Sequence, residues 1–125
     1  KIVEVGNYAG DASKAEQLMT DALTANPDLA VVFCVGDPAA AGALAAIKVA
    51  GASTKIIGFD GNPEAKDAIR DATNGKFWVS EIAQNPEKIG SEITKQITKY
   101  LTTGKVDQPV IMIAPYIITK ENVGK

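Results

Sequence analysis

Lys55-Ile56-Ile57-Gly58-Phe59-Asp60-Gly61-Asn62-Pro63 is the stretch from which the rest of the chain can be placed. Its apolar first half has the length and composition of a buried strand. Phe59 and Asp60 then arrive at the strand's C-terminal end, Gly61 turns the chain, and Asn62-Pro63 starts a helix. Asn is a favoured N-cap, and Pro suits the first helical position because its missing N–H has no intrahelical partner to lose. A strand that hands a carboxylate to a turn and then to a helix is a unit of an open α/β sheet. Ligands of such sheets bind outside the carboxyl ends of the strands, so the expected site is centred on Asp60.

Upstream, Leu29 to Val35 is a continuous apolar run of strand length, which predicts a strand covered on both sides. Asp37-Pro38 repeats the cap-then-proline device, and a helix follows to Ala50, stopped by Gly51. Its small side chains, with Gly42 among them, predict a helix lying unusually close to the sheet. Nearer the start, Ile2 to Gly6 reads as a first strand. Asp11 caps a helix to about Ala25, whose apolar face carries Ala15, Leu18, Met19, Ala22 and Leu23.

Downstream, the spacing predicts a helix from Pro63 to Thr73 and a strand from Phe77 to Ala83. Asn85-Pro86 then opens a helix with the stripe Ile89, Ile93, Ile97, Tyr100 and Leu101, ended by Gly104. A last strand is expected at Val110 to Ile113, resumed by Tyr116-Ile117-Ile118 after Pro115. Five strands alternating with four helices predict an α/β fold: a Rossmann-like (flavodoxin-like), mostly parallel sheet with helices on both faces, in one domain without internal linkers or repeats.

Composition narrows the function classes. The 125 residues carry 13 basic and 15 acidic side chains, a net charge of −2, without long runs of either sign. No basic stripe is offered to phosphates, which argues against nucleic acid as a partner. No apolar run approaches the roughly 20 residues that span a bilayer, and the opening residues lack a signal peptide's apolar stretch. With Lys1 in place of an initiator Met, the chain is read as a processed or cut product. Histidine is absent. That removes the usual general base, the Ser/His and Cys/His pairs and the commonest zinc ligand, so the chain is read as a non-enzyme without metal or cofactor. Cys34, inside an apolar run, reads as a buried thiol.

Loops after parallel strands share one sheet edge, so Tyr8, Gly36-Asp37, Phe59-Asp60 and Gln84 are expected to converge. A carboxylate accepts two hydroxyl protons, a Gln amide donates and accepts, and an aromatic ring covers the C–H face of a sugar. This set suits a small neutral sugar or polyol, whereas an anion would call for Arg or Lys. Each residue also has a plain structural reading: Asp37 as a helix cap, Asp60 as a turn residue, Phe59 as core, Tyr8 as a loop aromatic and Gln84 as a solvated amide.

Three motifs in order, Val32-Phe33-Cys34-Val35-Gly36-Asp37-Pro38-Ala39-Ala40-Ala41-Gly42-Ala43-Leu44, Ile57-Gly58-Phe59-Asp60-Gly61-Asn62-Pro63 and Ile82-Ala83-Gln84-Asn85-Pro86-Glu87-Lys88-Ile89-Gly90, carry a family resemblance. With the tail Thr119-Lys120-Glu121-Asn122-Val123, the chain resembles, over essentially its whole length, the C-terminal half of ribose-type periplasmic sugar-binding proteins of ABC transporters. The resemblance implies two Rossmann-like lobes closing on a sugar, without chemistry, in the periplasm or outside the cell, with a membrane permease as partner. It implies sugar contacts for Asp60 and Gln84 and stacking for Phe59 and Tyr8. Many members have Asn where this chain has Gly36. Ribose binders have an aromatic followed by Arg in the loop after the first strand, where this chain has Tyr8, Ala12 and Ser13, which leaves the sugar open.

Family members are longer, so the chain is expected to be a fragment in which about 85–111 belong to the other lobe of the complete protein. The stripe from Ile89 to Leu101 then needs cover, by folding back or by pairing with a second copy as a homodimer, and pairing is favoured. Two other readings share the fold class. One is the effector domain of a sugar-responsive repressor, with a DNA-binding head upstream. The other is a receiver domain with Asp60 as phospho-acceptor, which needs an acidic pair where Gly6-Asn7-Tyr8 stands.

Overall fold

The structure, a computed structural model, describes residues 1–124. It divides into two compact units, Lys1–Ala83 with the chain from Ile117 onward, and Gln84–Tyr116. In the first unit the elements are α1 (Ala12–Ala25), β1 (Val31–Phe33), α2 (Asp37–Ala50), β2 (Lys55–Asp60), α3 (Pro63–Arg70), a short 3-10 turn (Asn74–Lys76), β3 (Trp78–Ala83) and β4, whose full range is Tyr116–Thr119. The strands lie in the order β1-β2-β3-β4, with β1 parallel to β2 and β2 parallel to β3. The architecture is the expected α/β fold with a mostly parallel open sheet, of four strands.

Capping and periodicity account for the helices. The Asp11 carboxylate accepts the Lys14 N–H at 2.9 Å, and α1 buries Ala15, Met19, Ala22 and Leu23, one helical face. Gly51 closes α2 in the left-handed region at φ 63°. The core gathers Met19, Ile47, Ile56, Ile69 and Trp78, all essentially inaccessible, with Val32, Cys34 and Ile118.

Several expectations are corrected. Residues 2–6 form no strand, because β-branched side chains do not make a strand without a neighbour for their N–H and C=O groups, and no strand pairs with this segment. Residues 110–113 form none either; Pro109 and Pro115 bracket them without N–H donors, and the strand begins at Tyr116. Helix α3 stops at Arg70, where Asp71 turns extended and its carboxylate accepts the N–H groups of Thr73 and Asn74 at 2.9 and 2.7 Å, starting a new turn.

The strand at Val31–Phe33 is not covered on both sides. Val32 and Cys34 are buried while Val31, Phe33 and Val35 are about half exposed or more. α2 packs against α1 on one side and α3 on the other. For strands in sequential order with right-handed crossovers, α2 and α3 share one face of the sheet, so the expected cover on both faces is not complete. Gly42 serves a different contact from the one expected: a Cβ there would press on the Ala12 carbonyl, 2.7 Å from the Glu16 nitrogen and 2.8 Å from the Ala15 Cβ. The close approach is between α2 and α1, not between α2 and the sheet.

In the second unit, α4 (Pro86–Thr103) starts at Asn85, whose side chain accepts the Lys88 N–H at 2.9 Å, and ends at Gly104 with φ 68°. No residue of α4 is buried. Ile89, Ile93 and Ile97 line a shallow apolar groove with Val106, Ile111 and Met112. Among the described residues no helix is long and apolar enough to cross a membrane.

Candidate functional site

The chemistry-bearing side chains of the first unit meet where β1 and β2 end. Tyr8 reaches this edge from a loop that is tightly pinned. Asn7 Oδ1 accepts the Ala9 N–H at 2.8 Å, the Asp11 N–H donates to the Tyr8 carbonyl at 3.0 Å, and Ala9 adopts φ 55°. The Tyr8 ring packs half-buried against the core. A Cβ on Gly36 would stand 2.7 Å from Tyr8 Oη and 3.5 Å from Asp60 Oδ2. Gly36 has an extended backbone, φ −178°, that any residue adopts. Glycine is therefore needed there for space and not for conformation.

Asp60 ends β2 at φ 113°, a conformation that L side chains rarely adopt, and Gly61 continues it at φ 78°. Strain of this kind costs about 1 to 3 kcal/mol and persists where the surroundings over-determine it, which marks Asp60 as a residue held for a purpose. The reversed chain brings the Asn62 N–H to Asp37 Oδ2 at 2.8 Å, tying the loop after β2 to the loop after β1.

Asp37 is therefore not the cap of α2. Gly36 holds that position, and Asp37 sits in the first turn, only 4% exposed, with Oδ1 lacking a hydrogen-bond partner. Phe59 is half-buried and, by strand alternation, on the opposite face from Gly58. Gln84 is exposed, follows Ala83, the register partner of Asp60, and belongs to the second unit. The structure thus brings Tyr8 and Asp60 together over Gly36, places Asp37 in the interior and puts Phe59 on the other side of the strand.

Sequence reasoning missed Glu81. It is fully buried on β3, its Oε1 accepts the Trp78 indole N–H at 2.6 Å, and its Oε2 has no hydrogen-bond partner. Its carboxylate lies against Gly58, in the space a side chain on β2 would take. Burial above all, then the charge of Asp37, push the Glu81 carboxyl up to about 7; the Trp78 hydrogen bond opposes the rise and Asp60 adds to it. A carboxylate inside an otherwise apolar strand next to a Gly on its neighbour was the available signal. Cys34 lies nearby in charge terms: burial and the Glu81 charge push its thiol up to about 12, so it remains a protonated core residue. Among the described residues no cluster of acidic or Cys groups is arranged to hold a metal ion.

Comparison with known proteins gives a consistent result. The family model described as periplasmic binding protein domain matches residues 1–105. The chain is 39% identical over 97 residues to the ribose import binding protein of Salmonella typhimurium, covering 77% of this chain and 31% of that protein. It is 33% identical over 128 residues to the D-apiose import binding protein of Paraburkholderia graminis, covering 100% and 39%. Among solved structures, an ABC transporter solute-binding protein from Agrobacterium vitis bound with α-D-tagatopyranose superposes with TM-score 0.86 at 27% identity, over 98% of this chain and 40% of that one. A periplasmic solute-binding protein from Actinobacillus succinogenes with bound D-allose gives 0.85 at 26%, over 95% and 41%. These relatives are binding proteins, and the chain spans well under half of each.

Proposed function

We propose that this chain, which belongs to the periplasmic binding protein domain family, forms part of the sugar site of a solute-binding component of an ABC transporter. It holds a small neutral sugar or polyol and does no chemistry on it. The observation that carries this reading is the meeting of Tyr8 Oη and the strained Asp60 carboxylate over Gly36, at the sheet edge where α/β proteins bind ligands. An ionised carboxylate accepts two sugar hydroxyls, and the tyrosine adds a ring face and a hydroxyl. The importers and sugar-bound structures among the relatives favour a transport module over a repressor's effector domain.

The same proposal includes Gln84 and Phe59 as further sugar contacts, a location in the periplasm or outside the cell, a membrane permease as partner, and the second lobe of a longer protein as the home of about 85–111. Asp37 enters it as the residue that holds the loop carrying Asn62.

Because the relatives are much longer than the chain, its own affinity is expected to be millimolar, a binding free energy of about −4 kcal/mol. Amide chemical shifts followed by NMR during titration with D-ribose, D-allose, D-apiose and allitol test the reading. Saturable shifts at Tyr8, Gly36 and Asp60 are expected. Their absence with every sugar sinks it.

A further inference from the structure

Gly36 is the only point at which the site's wall has no side chain, and its backbone conformation does not require glycine. What requires it is Tyr8: the phenol oxygen occupies the space into which any Cβ at position 36 would project. The far end of a tyrosine can move, so a larger residue would not break the fold but would push the hydroxyl off this wall. Asp60 Oδ2 flanks the same point from the other side. The Tyr8 loop is held by two hydrogen bonds of its own backbone and by the Asn7 side chain, so the hydroxyl is delivered to this place and does not drift there.

Resting on the sugar-site reading above, we infer that Tyr8 and Gly36 act as one specificity determinant: the missing side chain at 36 admits the Tyr8 hydroxyl, which becomes the second polar group beside Asp60 that a sugar must match. The hydroxyl both donates and accepts, whereas the ionised carboxylate of Asp60 only accepts. A sugar hydroxyl that donates to Asp60 can therefore accept from Tyr8. The ligand class selected is a neutral sugar or polyol with adjacent hydroxyls spanning the two groups, and a sugar with a deoxy centre at either point is rejected.

Tyr8→Phe, Gly36→Ala and the double variant are titrated with D-ribose, D-allose and allitol by amide shifts, with Trp78 fluorescence as a check that each is folded. Tyr8→Phe is expected to weaken the preferred sugar by about threefold to tenfold and to change the rank order of the three, since one hydrogen bond is lost to some sugars and not to others. Gly36→Ala is expected to do the same by displacing the ring, and the double variant to lose no more than the larger single loss, because both remove one hydroxyl from one place. Unchanged affinity and rank order in Tyr8→Phe, or losses that multiply in the double variant, overturn the inference while the sugar-binding reading stands. If Gly36→Ala does not fold, the rank order in Tyr8→Phe decides. A parent chain that binds none of the sugars overturns both.

Discussion

Trp78 and Glu81 stand three residues apart on one strand, yet both are buried and joined by a 2.6 Å hydrogen bond from the indole to the carboxylate. In a regular strand an odd spacing puts two side chains on opposite faces. The register explains the exception: Ile56 pairs with Trp78 and Ile57 with Ser80, so Val79 is an extra residue and the strand bulges there. The bulge resets the alternation and brings a carboxylate into the core beside Asp37.

That carboxylate makes stability depend on pH. The Glu81 carboxyl rises from the ordinary 4.5 to about 7 on folding, so between these values the native state binds more protons than the unfolded one. Stability from this group is fully present below about pH 4.5 and is lost as pH rises to about 7, an effect on the order of 2 kcal/mol. Glu81→Gln keeps an oxygen for the Trp78 indole and removes the charge. Urea unfolding is expected to show the variant more stable than the parent at pH 8 and level with it at pH 4. Equal stability of the two proteins at pH 8 counts against a buried, strained charge.

Gly42 tests the packing of the first two helices. Alanine gains about 1 kcal/mol over glycine in a helix interior. Here its Cβ would meet backbone atoms of Ala12 and Glu16 and the Ala15 Cβ, none of which has a rotamer to give. The clash wins, and Gly42→Ala is expected to lower stability by about 1 to 3 kcal/mol. Thermal unfolding that shows a gain would mean that α1 and α2 separate freely.

The same residues show what was legible in the sequence. Local signals read well: Asp11 and Asn85 as caps, Gly51 and Gly104 as stops, and the strand from Lys55 to Asp60 stand where spacing and turn chemistry put them. Long-range facts did not read. Residues 2–6 have the composition of a strand but no partner to pair with, and composition carries no word about partners. Asp37-Pro38 has the form of a cap, but the carboxylate is drawn to the Asn62 N–H, 25 residues on. Glu81 becomes an interior carboxylate only through a bulge, and Gly36 matters only through a tyrosine from the start of the chain. Each of these depends on which loops meet, information that no window of the chain contains.

The second unit leaves apolar surface in solvent. Ile93, Ile97, Tyr100 and Leu101 of α4 are 53%, 54%, 57% and 77% exposed. Burying a large aliphatic side chain is worth about 1.5 to 3 kcal/mol, and a twofold pairing of two such helices is a direct way to gain it. The chain is expected to elute with twice the mass of one copy in size exclusion with light scattering, and Ile97→Lys to return it to a single copy. A parent chain that stays single at high concentration excludes the pairing.

Asp60 separates binding from folding most directly. Asp60→Gly removes the carboxylate and suits the positive φ, so the strain at this position is relieved while the two acceptor oxygens are lost. If Asp60 is held in place for a ligand, sugar-induced amide shifts vanish in this variant while unfolding stability stays within about 1 kcal/mol of the parent, as is usual for a change that removes no packed side chain. Asp60→Asn is the companion: one acceptor oxygen becomes a donor, the backbone strain remains, and affinity falls with stability unchanged. The pair of variants has a signature that a turn-forming aspartate would not give. A structural Asp60 would show a large stability loss in the glycine variant with sugar shifts retained, and that result would remove Asp60 from the site.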